Sequence, residues 1–330
     1  MNTPRVVIGL SAVIVAVTED APYVLVTRET QGAIAGLPFG PFDPAGDRTL
    51  ELSLRGWVSE QTGFDIGYVE QLYTFGDRGR ETPLADIKSA GPERVISISY
   101  LALTPSRAVL HRAGAGWRTW YDFFPWEDWR NGRPAIIDAV IAPKLLAWAQ
   151  SDPDKDQAAQ RRARARLAFA LDGATWNEER ALERYELLYE ARLAPEAARD
   201  RARFEGREPA PINGAPGLGE PMISDHRRIL ATAIGRLRAK IKYRPVVFEL
   251  APAQFTLLSL QRIVEAIAGL TLHKQNFRRL LDRSGLVEGT GAFDASAGGR
   301  PAELFRCKRA TLDQRPVGGI HVPTPRGSDA

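Results

Sequence analysis

Between Thr256 and Gly285 the chain encodes two helices with almost nothing between them. Thr256 is a good N-cap, Leu257, Leu260, Val264 and Ile267 recur at helical spacing, and Gly269 supplies a stop. After a connection of two or three residues, a second helix is predicted over 272–284, capped by Thr271 and ended by Gly285. With Phe277 at the centre of its buried face, a turn of about 100° per residue brings Leu280, Leu281 and His273 beside it. Gln275, Arg279, Asp282 and Arg283 then fall opposite, with Asn276 and Arg278 on the flanks. Residues 286–288 and 303–306 read as short strands around a glycine-rich tip that holds Gly298, Gly299 and Arg300.

Helix, tight turn, helix and two-stranded hairpin is the order of a winged helix-turn-helix. Its second helix carries amide and guanidinium groups, the chemistry that reads base edges in a major groove. Lys274, Gln275, Asn276, Arg278, Arg279 and Arg283 are therefore the candidate contacts to double-stranded DNA, with Arg300 reaching phosphate or minor groove from the wing tip. The rival is a winged helix that serves dimerisation alone.

Charge favours the nucleic-acid reading. Residues 1–220 hold 26 Lys/Arg and 31 Asp/Glu, a net of −5, whereas residues 221–330 hold 18 and 9, a net of +9. A basic module attached to a mildly acidic domain is the expected footprint of a DNA-binding regulator. At 330 residues, 44% hydrophobic and 25% charged, the chain has material for about two domains. Its single cysteine, Cys307, excludes an internal disulfide and a multi-cysteine zinc site. No apolar run approaches the roughly 18 residues of a membrane span, and no signal peptide opens the chain, so a cytoplasmic protein without a membrane partner is expected.

The front of the chain alternates strand and helix signals. Residues 6–17 and 23–27 read as a hairpin, 50–63 as a helix with Leu54, Trp57 and Val58 on one stripe, and 72–75 and 95–103 as further strands. From about 126 to 207 strand signals vanish and Ala, Arg, Glu and Leu dominate. The Arg161, Arg162, Arg164, Arg166 run sits among acids, 12 basic residues against 13 acidic between 151 and 210, and reads as the solvated face of a salt-bridged helix. A last helix over 225–243 mixes an apolar stripe with Arg227, Arg228, Arg236, Arg238, Lys240 and Lys242, of which half are expected on phosphate.

Leu37-Pro38 with Gly40, the helix around Leu54, and Glu60-Gln61-Thr62-Gly63-Phe64 resemble a Nudix box. Registered on Gly63, the motif's Arg-Glu pair becomes Gly56-Trp57, its last acidic pair becomes Glu60-Gln61, and its first glutamate falls near Arg48 or Asp47. Nudix hydrolases hold divalent ions on clustered carboxylates, and one glutamate cannot reproduce that charge. The segments LPFGPFDP, YVEQLYTFGDRGR and RVISISYLAL also resemble ADP-ribose-type Nudix proteins. FTLLSLQRIVEAIAG, NFRRLL and GRPAELFRC resemble the DNA-binding domain of the Nudix-related regulators of NAD metabolism, the NrtR group, and LRGWVSEQTGF with the long helical stretch is most similar to the NadQ regulators.

The resemblance implies an α+β chain. A Nudix-like α/β/α sandwich over 1–245, with a helical insertion at about 127–222, is followed by a winged helix-turn-helix over 246–310 and a flexible tail over 311–330. It implies a homodimeric repressor of NAD biosynthesis genes that is not an enzyme and requires no cofactor. Its effector is expected to be an adenine nucleotide, ATP or ADP-ribose, with magnesium an optional companion. Arg28, Arg78 and Arg80 are the candidate phosphate partners, since guanidinium forks suit phosphate oxygens, and Glu60 is the surviving box carboxylate. The alternative is an active hydrolase of ADP-ribose-type substrates with a regulatory winged helix.

Overall fold

The computed structural model describes residues 5–18, 20–28, 33–77, 80, 93–210, 217–295 and 301–308. Strand β1 (Arg5–Thr18) runs through the middle of a mixed sheet because it is apolar on both faces. Leu10, Ala12 and Ile14 join one buried cluster and Val13, Val15 and Val17 another, the alternation of a strand covered on both sides. It pairs antiparallel with β2 (Ala21–Thr27) and with the short β3 (Phe39–Pro41). The order is completed by β4 (Tyr68–Phe75), β5 (Glu93–Thr104) and β6 (Ala115–Thr119), giving β4-β5-β1-β2-β6, with β5 parallel to β1 from Arg5 opposite Glu93 to Ala16 opposite Thr104.

Helix α1 (Leu50–Thr62) covers one face with Leu54 and Val58. The Thr49 hydroxyl accepts the Leu52 N–H at its start, and Gly63, at φ 70°, takes the left-handed conformation that ends it. The other face meets α6 (His226–Tyr243) and the insertion, which forms α2 (Ala142–Gln150), α3 (Lys155–Phe169), α4 (Ala181–Glu190) and α5 (Pro195–Phe204). Trp120, Phe124, Trp126, Phe169 and Tyr185 belong to the same buried cluster as Val13 and Val15, so the insertion extends the main core. Its arginine run is salt-bridged as expected where Arg161 meets Asp152 at 2.8 Å and Arg164 meets Glu190 at 2.6 Å.

The expectation for α6 is corrected. Arg227 and Arg238 are each 1% exposed, Lys240 pairs with Glu70, and Lys242 pairs with Glu178 and Glu179. These cations face acids contributed by the first 220 residues, so they neutralise the interior and are closed to phosphate. Arg236 alone of the six is exposed.

The C-terminal module folds as helix α7 (Leu257–Ala268), helix α8 (Lys274–Ser284) and a hairpin of β7 (Val287–Asp294) and β8 (Ala302–Cys307). Helix α8 starts two residues later than predicted, with His273 at its N-cap and exposed. Thr271 does not cap it, because its hydroxyl donates to the Arg130 carbonyl at 2.8 Å. Phe255 and Phe305 exchange backbone hydrogen bonds of 3.0 and 2.8 Å, which tie the hairpin to the segment before α7. Among the described residues no helix is long and apolar enough to cross a membrane.

Candidate functional site

On α8 the amphipathic pattern separates cleanly. Phe277 and Leu281 are buried, while Lys274, Gln275, Asn276, Arg278, Arg279 and Arg283 are exposed. None of these four cations makes an ion pair among the described residues, and Arg279 donates only to the Asn276 side-chain oxygen, at 2.8 Å. Uncompensated guanidinium and ammonium groups on one helix face make a positive surface that suits phosphate, and the amides between them suit base edges. Arg300, the expected wing-tip contact, lies outside the described residues.

The placement of α8 is over-determined. Within the turn, Glu265 accepts the Leu272 N–H at 2.7 Å and Gln261 donates to the Leu272 carbonyl at 2.9 Å. From outside, Tyr121 donates to the Ala266 carbonyl at 2.7 Å, Arg238 Nε to the Ile267 carbonyl at 2.8 Å, and the Trp129 N–H to the Gly269 carbonyl at 2.8 Å. The last carbonyls of α7, which have no partners within a helix, are thus satisfied by Arg238 of α6 and by the segment that leads into the insertion.

Beneath this contact Glu127, Arg184 and Arg238 form a fully buried ion cluster. Burial opposes ionisation of Glu127, but the Arg184 and Arg238 guanidiniums outweigh it and hold the carboxyl below its usual range. Sequence reasoning missed this cluster. The available signal was that Arg227, Leu230, Ile234, Arg238 and Ile241 fall at stripe spacing on α6, which places two arginines at core positions.

The box positions line a groove of about 570 Å³ between α1 and β3, with Trp57, Glu60, Asp43 and Asp47 in its walls. Trp57 Nε1 donates to the Pro41 carbonyl at 2.9 Å. The Gln61 amide accepts the Phe39 N–H at 3.1 Å and donates to the Phe39 carbonyl at 2.6 Å, as a neighbouring strand would. Asp47 accepts from Ser53 at 2.6 Å and from the Asp43 N–H at 2.9 Å, and the Ser53 hydroxyl holds its carboxyl below the usual range. A hard divalent ion takes several oxygen ligands, yet among the described residues no three His, Cys, Asp or Glu side chains are placed to hold one. The residues present do not fit the metal set that a box of this kind implies.

The expected ligand residues do not converge. Glu60 lines the groove and is exposed. Arg28 stands at the end of β2, 3.9 Å from Glu220. Arg80 is 11% exposed, 3.2 Å from both Asp225 and Glu186, with its guanidinium 3.8 Å above the Tyr189 ring. Neither arginine borders the groove, and Arg80 is closed off by its acidic partners. Arg78 lies outside the described residues.

The family model of the NrtR DNA-binding winged helix domain matches residues 247–307. Residues 247–307 are thus similar to the NrtR DNA-binding winged helix domain. A curated relative, the ADPR responsive transcriptional repressor NtrR of Acinetobacter baylyi (strain ATCC 33305 / BD413 / ADP1), is 44% identical over 82 residues, 25% of this chain and 32% of that protein. The chain therefore spans about a third of the length of the curated relative it matches. The structure is similar to Shewanella oneidensis NrtR complexed with a 27mer DNA, at a TM-score of 0.52 and 18% identity over 95% of this chain and 98% of that one. It is also similar to a MutT/nudix family protein from Enterococcus faecalis, at 0.50 and 14% identity over 93% and 88%. These likenesses show the fold alone: an α/β/α sandwich joined to a winged helix, the arrangement of those two structures.

Proposed function

We propose that the chain is a transcriptional repressor that binds double-stranded DNA through the outward face of α8 and senses ADP-ribose in its Nudix domain. The observation that carries this reading is the set of four cations, Lys274, Arg278, Arg279 and Arg283, that make no ion pair among the described residues and sit on a rigidly held helix. The domain division at about residue 245, a homodimeric assembly and target genes in NAD biosynthesis complete the proposal. The repressor named for the Acinetobacter relative supports the regulatory role, and its ADPR responsiveness supports the effector. ATP is the second nucleotide to test.

The Nudix domain on this reading binds without hydrolysing. Two of the three helix positions that would carry carboxylates hold Trp57 and Gln61, whose side chains are committed to the backbone of β3. Nucleotide enters the groove that Glu60 borders and shifts the population between conformers of different DNA affinity. The test is fluorescence anisotropy on the DNA upstream of the host's NAD biosynthesis genes, with and without ADP-ribose and ATP. Specific binding that one nucleotide alters is expected, and affinity equal to that for random DNA overturns the proposal.

A further inference from the structure

Beside the helix-turn-helix turn lies a groove of about 660 Å³ that the proposed function does not use. Its walls are Trp129, Arg133, Asp138 and Trp176 of the insertion, and Leu270 and Thr271 of the turn. The two indoles stack with centroids 4.2 Å apart and planes at 29°. Arg133 donates from one nitrogen to the Phe169 and Ala170 carbonyls and from its other two to Asp138, at 2.8 and 2.9 Å, but Asp138 is 63% exposed. A solvent-open ion pair of this kind exchanges readily for another carboxylate. Trp176 is 2% exposed and its indole N–H has no acceptor among the described residues, so the site contains an unmet buried donor. Apolar walls with a few such polar groups are the make-up of a small-molecule site.

We propose that this groove binds a small planar aromatic acid, with its ring against the Trp129–Trp176 wall and its carboxylate on Arg133. Both tryptophans are tied to the end of α7, Trp129 through its backbone and Trp176 through its ring. The Trp129 backbone N–H donates to the Gly269 carbonyl, while its indole N–H donates to the Trp126 carbonyl at 3.1 Å. The Arg184 guanidinium lies 3.8 Å from the centre of the Trp176 ring, pairs with Glu127, and through Glu127 meets Arg238, which donates to the Ile267 carbonyl. Occupancy therefore acts on the orientation of α8, a consequence that rests on the DNA-binding reading, whereas the site itself does not. The nucleotide groove lies against α1, on the opposite face of the sheet, so the two ligands do not compete.

The experiment titrates the full chain with 2-naphthoate by calorimetry, alone and with ADP-ribose present, for the unaltered protein, Trp129→Leu and Arg133→Gln. One saturable site is expected, weakened at least tenfold by Arg133→Gln, lost in Trp129→Leu and still filled to the same stoichiometry with ADP-ribose bound. Thermal melting checks the fold, and the half-buried Arg133→Gln carries the test alone if Trp129→Leu does not fold. No saturable heat, or binding that Arg133→Gln leaves unchanged, overturns the site. Saturating naphthoate is expected to change affinity for operator DNA several-fold, and an unchanged DNA affinity with naphthoate bound overturns the link to α8.

Discussion

The ring of Trp57 fills the space in front of Gly40: a methyl carbon added at Gly40 would lie 2.2 Å from the indole. A position that a hydrolase of this fold gives to a carboxylate holds β3 in place here. No magnesium-dependent release of AMP from ADP-ribose is therefore expected, measured by chromatography of the reaction. Turnover that requires magnesium would contradict the reading. Gly40→Ala forces the indole out of contact and is expected to cost about 1–3 kcal/mol, read by urea denaturation.

Glu127 pairs directly with two buried guanidiniums, Arg184 and Arg238, and among the described residues no other carboxylate hydrogen-bonds either of them. Glu127→Ala leaves Arg184 and Arg238 buried without their direct carboxylate partner, and is expected to cost about 3–5 kcal/mol of folding stability. A loss below about 1 kcal/mol in denaturant titration would show that the cluster is not closed to water.

If α8 neutralises phosphates, DNA affinity falls with salt at a log-log slope of about −0.9 for each contact. Arg279→Ala is expected to flatten that slope by about 0.9 if it meets phosphate, or to relax discrimination by about 1–3 kcal/mol if it reads a base. In both cases the melting temperature stays unchanged, since Arg279 is exposed and among the described residues bonds only to Asn276. Unchanged binding at every salt concentration would favour a winged helix used for dimerisation alone.

His226 is buried, and its Nδ1 accepts the Leu37 N–H at 2.9 Å, which requires a neutral ring. Burial, reinforced by the Arg199 charge, pushes it down to about 3 from 6.5. The unfolded chain takes up this proton below 6.5 and the folded one does not until about 3, so the contribution is full above 6.5 and lost as pH falls. Asp225 runs the other way: burial raises it from 3.8 to about 6 against the pull of Arg80 and Arg228, and its contribution is lost as pH rises through that range. Comparing His226→Gln with the unaltered protein removes the Asp225 effect. The variant is expected to gain relative stability by about 1.4 kcal/mol per pH unit below 6.5. A difference that is flat between pH 7.5 and about 5 would contradict it.

What was legible in the sequence follows the range of the forces involved. Helices α7 and α8 were readable because caps and stripe are local, with Thr256, Gly269 and Gly285 marking ends within a few residues of the apolar positions they close. The strands β3 and β6, three and five residues long, carry no alternation of their own and owe their conformation to β1 and β2 beside them. The net of +9 after residue 220 overstated the basic surface, because Arg227, Arg228 and Arg238 meet Glu196, Glu186 and Glu127 from far upstream. Charge segregated along a chain need not be segregated in space. Arg80 misled for the same reason: its partners Glu186 and Asp225 are more than a hundred residues away.

The measurement closest to the central claim is a linkage pair at equilibrium: operator affinity with and without saturating ADP-ribose, and ADP-ribose affinity with and without saturating operator. If one chain senses nucleotide and binds DNA, the two ratios are equal and differ from one, typically by about 5–150-fold. Ratios of one in both directions would mean that the Nudix domain does not regulate the winged helix, and the account would fail.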